Sequence, residues 1–125
     1  MTETEKIGLS CILKNVTPSG ATIVFTQNNN IGKPTGELEY GEDFIIEVQN
    51  KGAWEQAPIV LKGDYAFNGI AHLISANETV EKDIKWEWLY GKLKPGNYRI
   101  KKTILDFRST ANFDKYVIYT EFKIN

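Results

Sequence analysis

Leu93-Lys94-Pro95-Gly96-Asn97-Tyr98-Arg99-Ile100 is the stretch that decides how the rest of the chain is read. Pro95-Gly96 is turn chemistry: proline fixes φ and gives up its N–H, and glycine enters backbone regions closed to other residues. Directly behind it, Tyr98 and Ile100 share one face of a strand under period-2 alternation. In Greek-key sandwiches the chain crosses between sheets just before a late strand, and a tyrosine near that strand's start bonds back to upstream backbone. Leu93 is placed to anchor such a corner in the core, and Pro95-Gly96 to turn it. Tyr98 supplies a hydroxyl, which a buried tyrosine must spend on a partner. The competing reading is an ordinary hairpin turn followed by a core tyrosine. In both, Leu93, Pro95, Gly96 and Tyr98 argue fold rather than activity.

Outward from this corner the chain reads as strand after strand. Downstream, residues 97–105 place Tyr98, Ile100 and Ile104 on one face, and 115–124 do the same with Tyr116, Ile118, Phe122 and Ile124. Between them Asp106 to Asp114 reads as a loop. Upstream, residues 79–88 carry two patterns. Val80, Ile84 and Trp88 fit a helical stripe, whereas Ile84, Trp86 and Trp88 alternate with Asp83, Lys85 and Glu87 as in a strand. The β-rich neighbourhood favours strand, with room for one helical turn near Trp88-Leu89-Tyr90.

Further upstream, Phe44, Ile46 and Val48 share a strand face, and Asn50-Lys51-Gly52 turns that strand into Ala53-Trp54-Glu55-Gln56. Leu38 and Tyr40 point inward from a short strand over 37–40, and residues 65–74 read as a strand interrupted at Asn68-Gly69. Residues 6–13 and 21–26 form a hairpin around Pro18-Ser19-Gly20, followed by an exposed loop over 27–36 rich in Asn and Gly. Roughly seven to nine short strands with frequent turns predict an all-β, immunoglobulin-like two-sheet sandwich of Greek-key type. The division is a polar tail over 1–6 and one sandwich domain over 7–125.

Composition excludes more than it proposes. The chain has 125 residues, 42% of them hydrophobic, and 15 basic residues balance 16 acidic ones. That size suits one domain, and near neutrality removes the electrostatic footprint of a nucleic-acid binder. No apolar run approaches the length of a spanning helix. The start, Met1 to Lys6, carries no apolar leader core. The location expected is cytoplasmic if Met1 is the native start, and cell envelope or extracellular if a leader has been removed.

Cys11 is the only cysteine, so no internal disulfide forms, and its place among Ile7, Leu9 and Leu13 reads as core. His72 is the only histidine and reads as a packed or half-exposed residue of an apolar strand. No spacing of metal ligands, nucleophile elbow or phosphate loop is present, so no cofactor, metal or catalytic residue is expected.

Trp86 to Ile100 resembles the signature of a bacterial Ig-like domain family of Firmicutes. Val16-Thr17-Pro18-Ser19-Gly20, Gly36-Glu37-Leu38-Glu39-Tyr40-Gly41 and Asp106-Phe107-Arg108 are similar to it too, and the resemblance runs from about Gly8 onward. It implies a β-sandwich commonly borne on exported proteins or lipoproteins, with no established catalytic residues. The expected function is therefore a non-catalytic interaction domain of the cell envelope, with an unknown protein or glycan as partner. A carbohydrate-binding module using exposed aromatics and a protease-inhibitor-like sandwich are the alternatives. Candidate binding residues are Phe107, Arg108 and Phe113: aromatics and arginine are the types that dominate interfaces, and loops at sandwich ends carry recognition.

Overall fold

The computed structural model describes residues 3–125, with Met1 and Thr2 of the expected tail outside the described residues. A single helical turn, α1 (Glu3–Lys6), leads into β1 (Leu9–Thr17), which pairs with β2 (Gly20–Gln27) around the expected Pro18-Ser19 turn. β7 (Thr79–Lys85) adds to the other edge of β2 and completes a three-stranded antiparallel sheet.

The larger sheet is built on β8 (Gly96–Ser109). β9 (Asn112–Ile124) pairs along one edge of it. The other edge is divided between β4 (Ile45–Asn50), opposite the first half, and β3 (Glu37–Tyr40), opposite the second. β5 (Ala53–Gln56) extends β4 through Lys51-Gly52, both at positive φ as a two-residue hairpin turn requires, and β6 (His72–Ile74) lies outside β3. Alternation on β8 and full burial of Ile23 and Phe25 on β2 place the core between the sheets.

The ambiguous stretch resolves into both of its patterns in succession. It runs as β7 to Lys85 and then makes one helical turn, α2 (Glu87–Tyr90). Trp86 stands at the junction, fully buried. Its indole N–H donates to the Pro18 carbonyl at 2.8 Å, and the Leu93 N–H donates to the same oxygen at 2.9 Å. The N–H groups of Trp86 and Glu87 donate to the Ser19 carbonyl. Phe122 stacks between the Trp86 and Tyr98 rings, with centroids 5.2 and 5.7 Å away. The Tyr98 hydroxyl donates to the Lys94 carbonyl at 2.7 Å, so the Pro95-Gly96 corner is a tyrosine corner.

Two expected segments differ. Residues 65–74 contribute only His72–Ile74 as strand, and 57–71 run as an irregular strap. Their apolar residues had a strand's composition, but beyond Ala57 no sheet edge accepts their main chain; Phe67 instead packs its ring on Phe44 at 5.3 Å. The loop over 27–36 is less exposed than its composition suggests, because buried side chains tie it down. Gln27 is buried, donating to the Ile7 and Gly32 carbonyls and accepting the Asn77 N–H. Asp106, also buried, accepts the N–H groups of Thr35 and Gly36.

Lys102 also lies in the interior, only 2% exposed. The alternation that buries Ile100 and Ile104 carries it inward, at the point where β8 loses β4 and has not yet met β3. Its ammonium donates to the carbonyls of Gly41 and Asp43, both at 2.7 Å, in the connection between those strands. Burial pulls its pKa from the ordinary 10.5 down to about 8, although the charges of Asp43 and Glu42 oppose the shift.

Two predictions follow from these contacts. Tyr98→Phe should lower stability by on the order of 1–3 kcal/mol in urea denaturation without changing the fold. A loss under about 0.5 kcal/mol would show the corner to be idle. For Lys102, folded and unfolded chains both carry the proton below pH 8, so the full cost of the buried cation stands there. Between about 8 and 10.5 the unfolded chain binds the proton that the folded one releases, so stability rises with pH. Measured in parallel, wild type should gain on Lys102→Met through that window by up to about 1.4 kcal/mol per pH unit. A gap that stays constant with pH would contradict it.

Candidate interaction surface

The segment from Asp106 to Asp114 is not a loop. β8 continues to Ser109 and β9 begins at Asn112, leaving Thr110-Ala111 as a two-residue turn with Ala111 at φ 66°. Its polar composition hid three cross-strand pairs that carry the ladder outward, Asp106 opposite Asp114, Phe107 opposite Phe113 and Ser109 opposite Asn112. The Phe107 and Phe113 rings lie nearly parallel, with centroids 6.5 Å apart.

The register parts the three expected site residues. Phe107 and Phe113 come together on the outer face of the sheet. Arg108 sits at a break in the register, where its guanidinium donates to Thr35 Oγ1 at 2.6 Å, Asp114 at 3.0 Å and Asn112 Oδ1 at 3.0 Å. It also lies 3.7 Å from the buried Asp106 carboxylate. Asp106 and Asp114 belong to the face opposite the two phenylalanines, since adjacent pairs in a ladder alternate sides. Arg108 thus binds the hairpin to residues 35–36 and neutralises a buried acid. Arg108→Ala should cost on the order of 1–3 kcal/mol and loosen amide exchange at Thr35 and Gly36. Unchanged protection there would show that Asp106 holds the loop unaided.

The same alternation that fills the core aims Arg99 of β8 and Val117 and Tyr119 of β9 outward with Phe107 and Phe113. Phe113, Val117 and Tyr119 are 40, 41 and 44% exposed. Arg99 is held on three sides. Its guanidinium lies 4.0 Å from the Tyr119 ring centroid and 4.6 Å from that of Trp54, and its Nε–H donates to Glu47 directly across the ladder. Stacking between rings fixes the planar guanidinium in one orientation. Nothing in the sequence marked Arg99, because Trp54 and Tyr119 reach it only through the pairing of β5 with β4 and β9 with β8.

The remaining aromatics and titratable groups have other tasks. Tyr65, Phe67 and Trp88 pack edge to face, with interplanar angles of 75–87°. His72 stacks on Tyr40, with Nε2 3.6 Å from Glu42. Burial raises the pKa of Glu42, but the hydrogen bond and charge of Lys82, the charge of His72 and a bond from Asn68 bring it below the ordinary value. Cys11 is half-buried, and burial pushes its thiol up to about 11, far from a reactive thiolate at neutral pH. Among the described residues no three metal-ligating side chains converge, and no helix is long and apolar enough to cross a membrane.

No curated protein and no solved structure matches the chain. The sequence model of one family, described as bacterial Ig-like domain, matches residues 4–123. That span takes in both sheets, the Trp86 junction, the tyrosine corner and the outer aromatic face. With nearly the whole chain matched and a two-sheet sandwich formed, this protein belongs to the bacterial Ig-like domain family.

Proposed function

We propose that this non-catalytic, interaction-type domain binds a protein partner of the cell envelope through the outer face of its larger sheet, centred on Arg99, Tyr119, Val117 and Phe113. The carrying observation is the ordered Trp54–Arg99–Tyr119 stack beside exposed Val117 and Phe113. Aromatics and arginine are the residues that carry most binding energy at protein interfaces, and an arginine already fixed in place loses little freedom on docking. Family membership supports the envelope setting.

Ring geometry favours a protein over a sugar. A sugar platform needs coplanar exposed ring faces, whereas the Tyr65–Phe67–Trp88 group is edge to face and the facing sides of Trp54 and Tyr119 are occupied by the guanidinium.

A photo-crosslinking amino acid placed at Val117, in cells that make the protein, should give a discrete protein adduct. The same probe at Ile12, exposed on the smaller sheet, should give none. Tyr119→Ala should weaken the partner by more than about 1 kcal/mol while leaving the unfolding midpoint in place. Adducts from Ile12 and none from Val117 would move the site to the other sheet.

A further inference from the structure

A second feature lies at the tyrosine-corner end of the sandwich, apart from the outer face. The strap that leaves β5 docks on β4 and then on α2: the Ala57 N–H donates to the Ile46 carbonyl, and the Val60 N–H donates to the Leu89 carbonyl. Between this strap and residues 91–94 lies a cleft of about 420 Å³, within the range of small-ligand sites. Val48, Pro58, Val60, Leu93 and the rings of Tyr90 and Tyr98 make its apolar walls. Lys92 and Lys94 are the only charged residues lining it, and neither has an ion-pair partner among the described residues.

Most main-chain N–H donors of the walls are spent. Pro58 has no N–H, and those of Ala57, Val60, Gly91 and Leu93 are bonded to the Ile46, Leu89, Glu87 and Pro18 carbonyls. The Tyr98 hydroxyl is committed to Lys94, and that of Tyr90 to Ile46 and Gln56. A peptide laid here would bury carbonyls with few donors to bond, and each one left unpaired is costly. An alkyl chain makes no such demand, and an anionic head meets the two unpaired lysines.

We propose that this cleft binds a medium-chain alkyl carboxylate, its chain against Val60 and Leu93 and its carboxylate between Lys92 and Lys94. The inference does not depend on the partner-binding face, and a test by methyl resonances keeps the two apart. Decanoate, titrated below its aggregation concentration, should shift the methyl signals of Val48, Val60 and Leu93. Its affinity should fall as salt is raised, since exposed charges are screened. Lys92→Gln with Lys94→Gln should weaken binding about thirtyfold, each of the two ammonium groups near a carboxylate in water being worth roughly 1 kcal/mol. Val60→Trp should abolish binding by filling the cleft without lowering the unfolding midpoint. Absence of shifts, equal binding of decyltrimethylammonium, tighter binding of a peptide ending in leucine, or shifts confined to Val117 would each overturn the proposal.

Discussion

The Pro18 carbonyl is the joint on which the sandwich closes. It belongs to the turn of the smaller sheet, yet it accepts hydrogen bonds from the Trp86 indole and the Leu93 main chain, on either side of the crossover to the larger one. Both donors are buried or nearly so, and a buried donor left without a partner costs more than the bond it makes is worth. The crossover therefore has one satisfactory path, and the stack of Trp86 on Phe122 on Tyr98 carries that constraint into β8 and β9.

The opposite end and the middle are closed by single polar side chains in places where a strand would otherwise be needed. Gln27 and Asp106 tie the 28–36 loop from inside, and Lys102 fills the gap that opens on β8 between its two half-partners. Each is buried, and each spends its polar atoms on main-chain groups that have no ladder to join. This is costly for Lys102, as its lowered pKa records. It permits β3 and β4 to share one edge of β8, which in turn brings Glu47 of β4 opposite Arg99.

Function follows from what this bracing leaves over. Since the inner face is occupied with closure, the outer face of the β8–β9 ladder can carry residues that the fold does not need. Phe113, Val117 and Tyr119 stand there in water, and Arg99 is fixed among rings that do not belong to the core. Arg108, chemically suited to recognition, is consumed by the hairpin instead. Residue type alone does not separate these two arginines; their positions relative to buried acids and exposed rings do.

The sequence by itself determined the alternation, the turns and hence the all-β class. Period-2 patterning fixes which side chains share a face, and Pro95-Gly96 before Tyr98 placed the corner, because these are local properties of a few consecutive residues. It missed the strand ends at Ser109 and Asn112, where polar residues looked like a loop, and it read strand into residues 65–71, where apolar ones did not become one. Tertiary structure decided those, since a strand exists only where another offers its edge, and for 58–71 none did. It decided the site for the same reason. Phe107 and Phe113 are close enough in sequence for a hairpin to join them, whereas Trp54, Arg99 and Tyr119 meet only after three separate strand pairings have fixed their register.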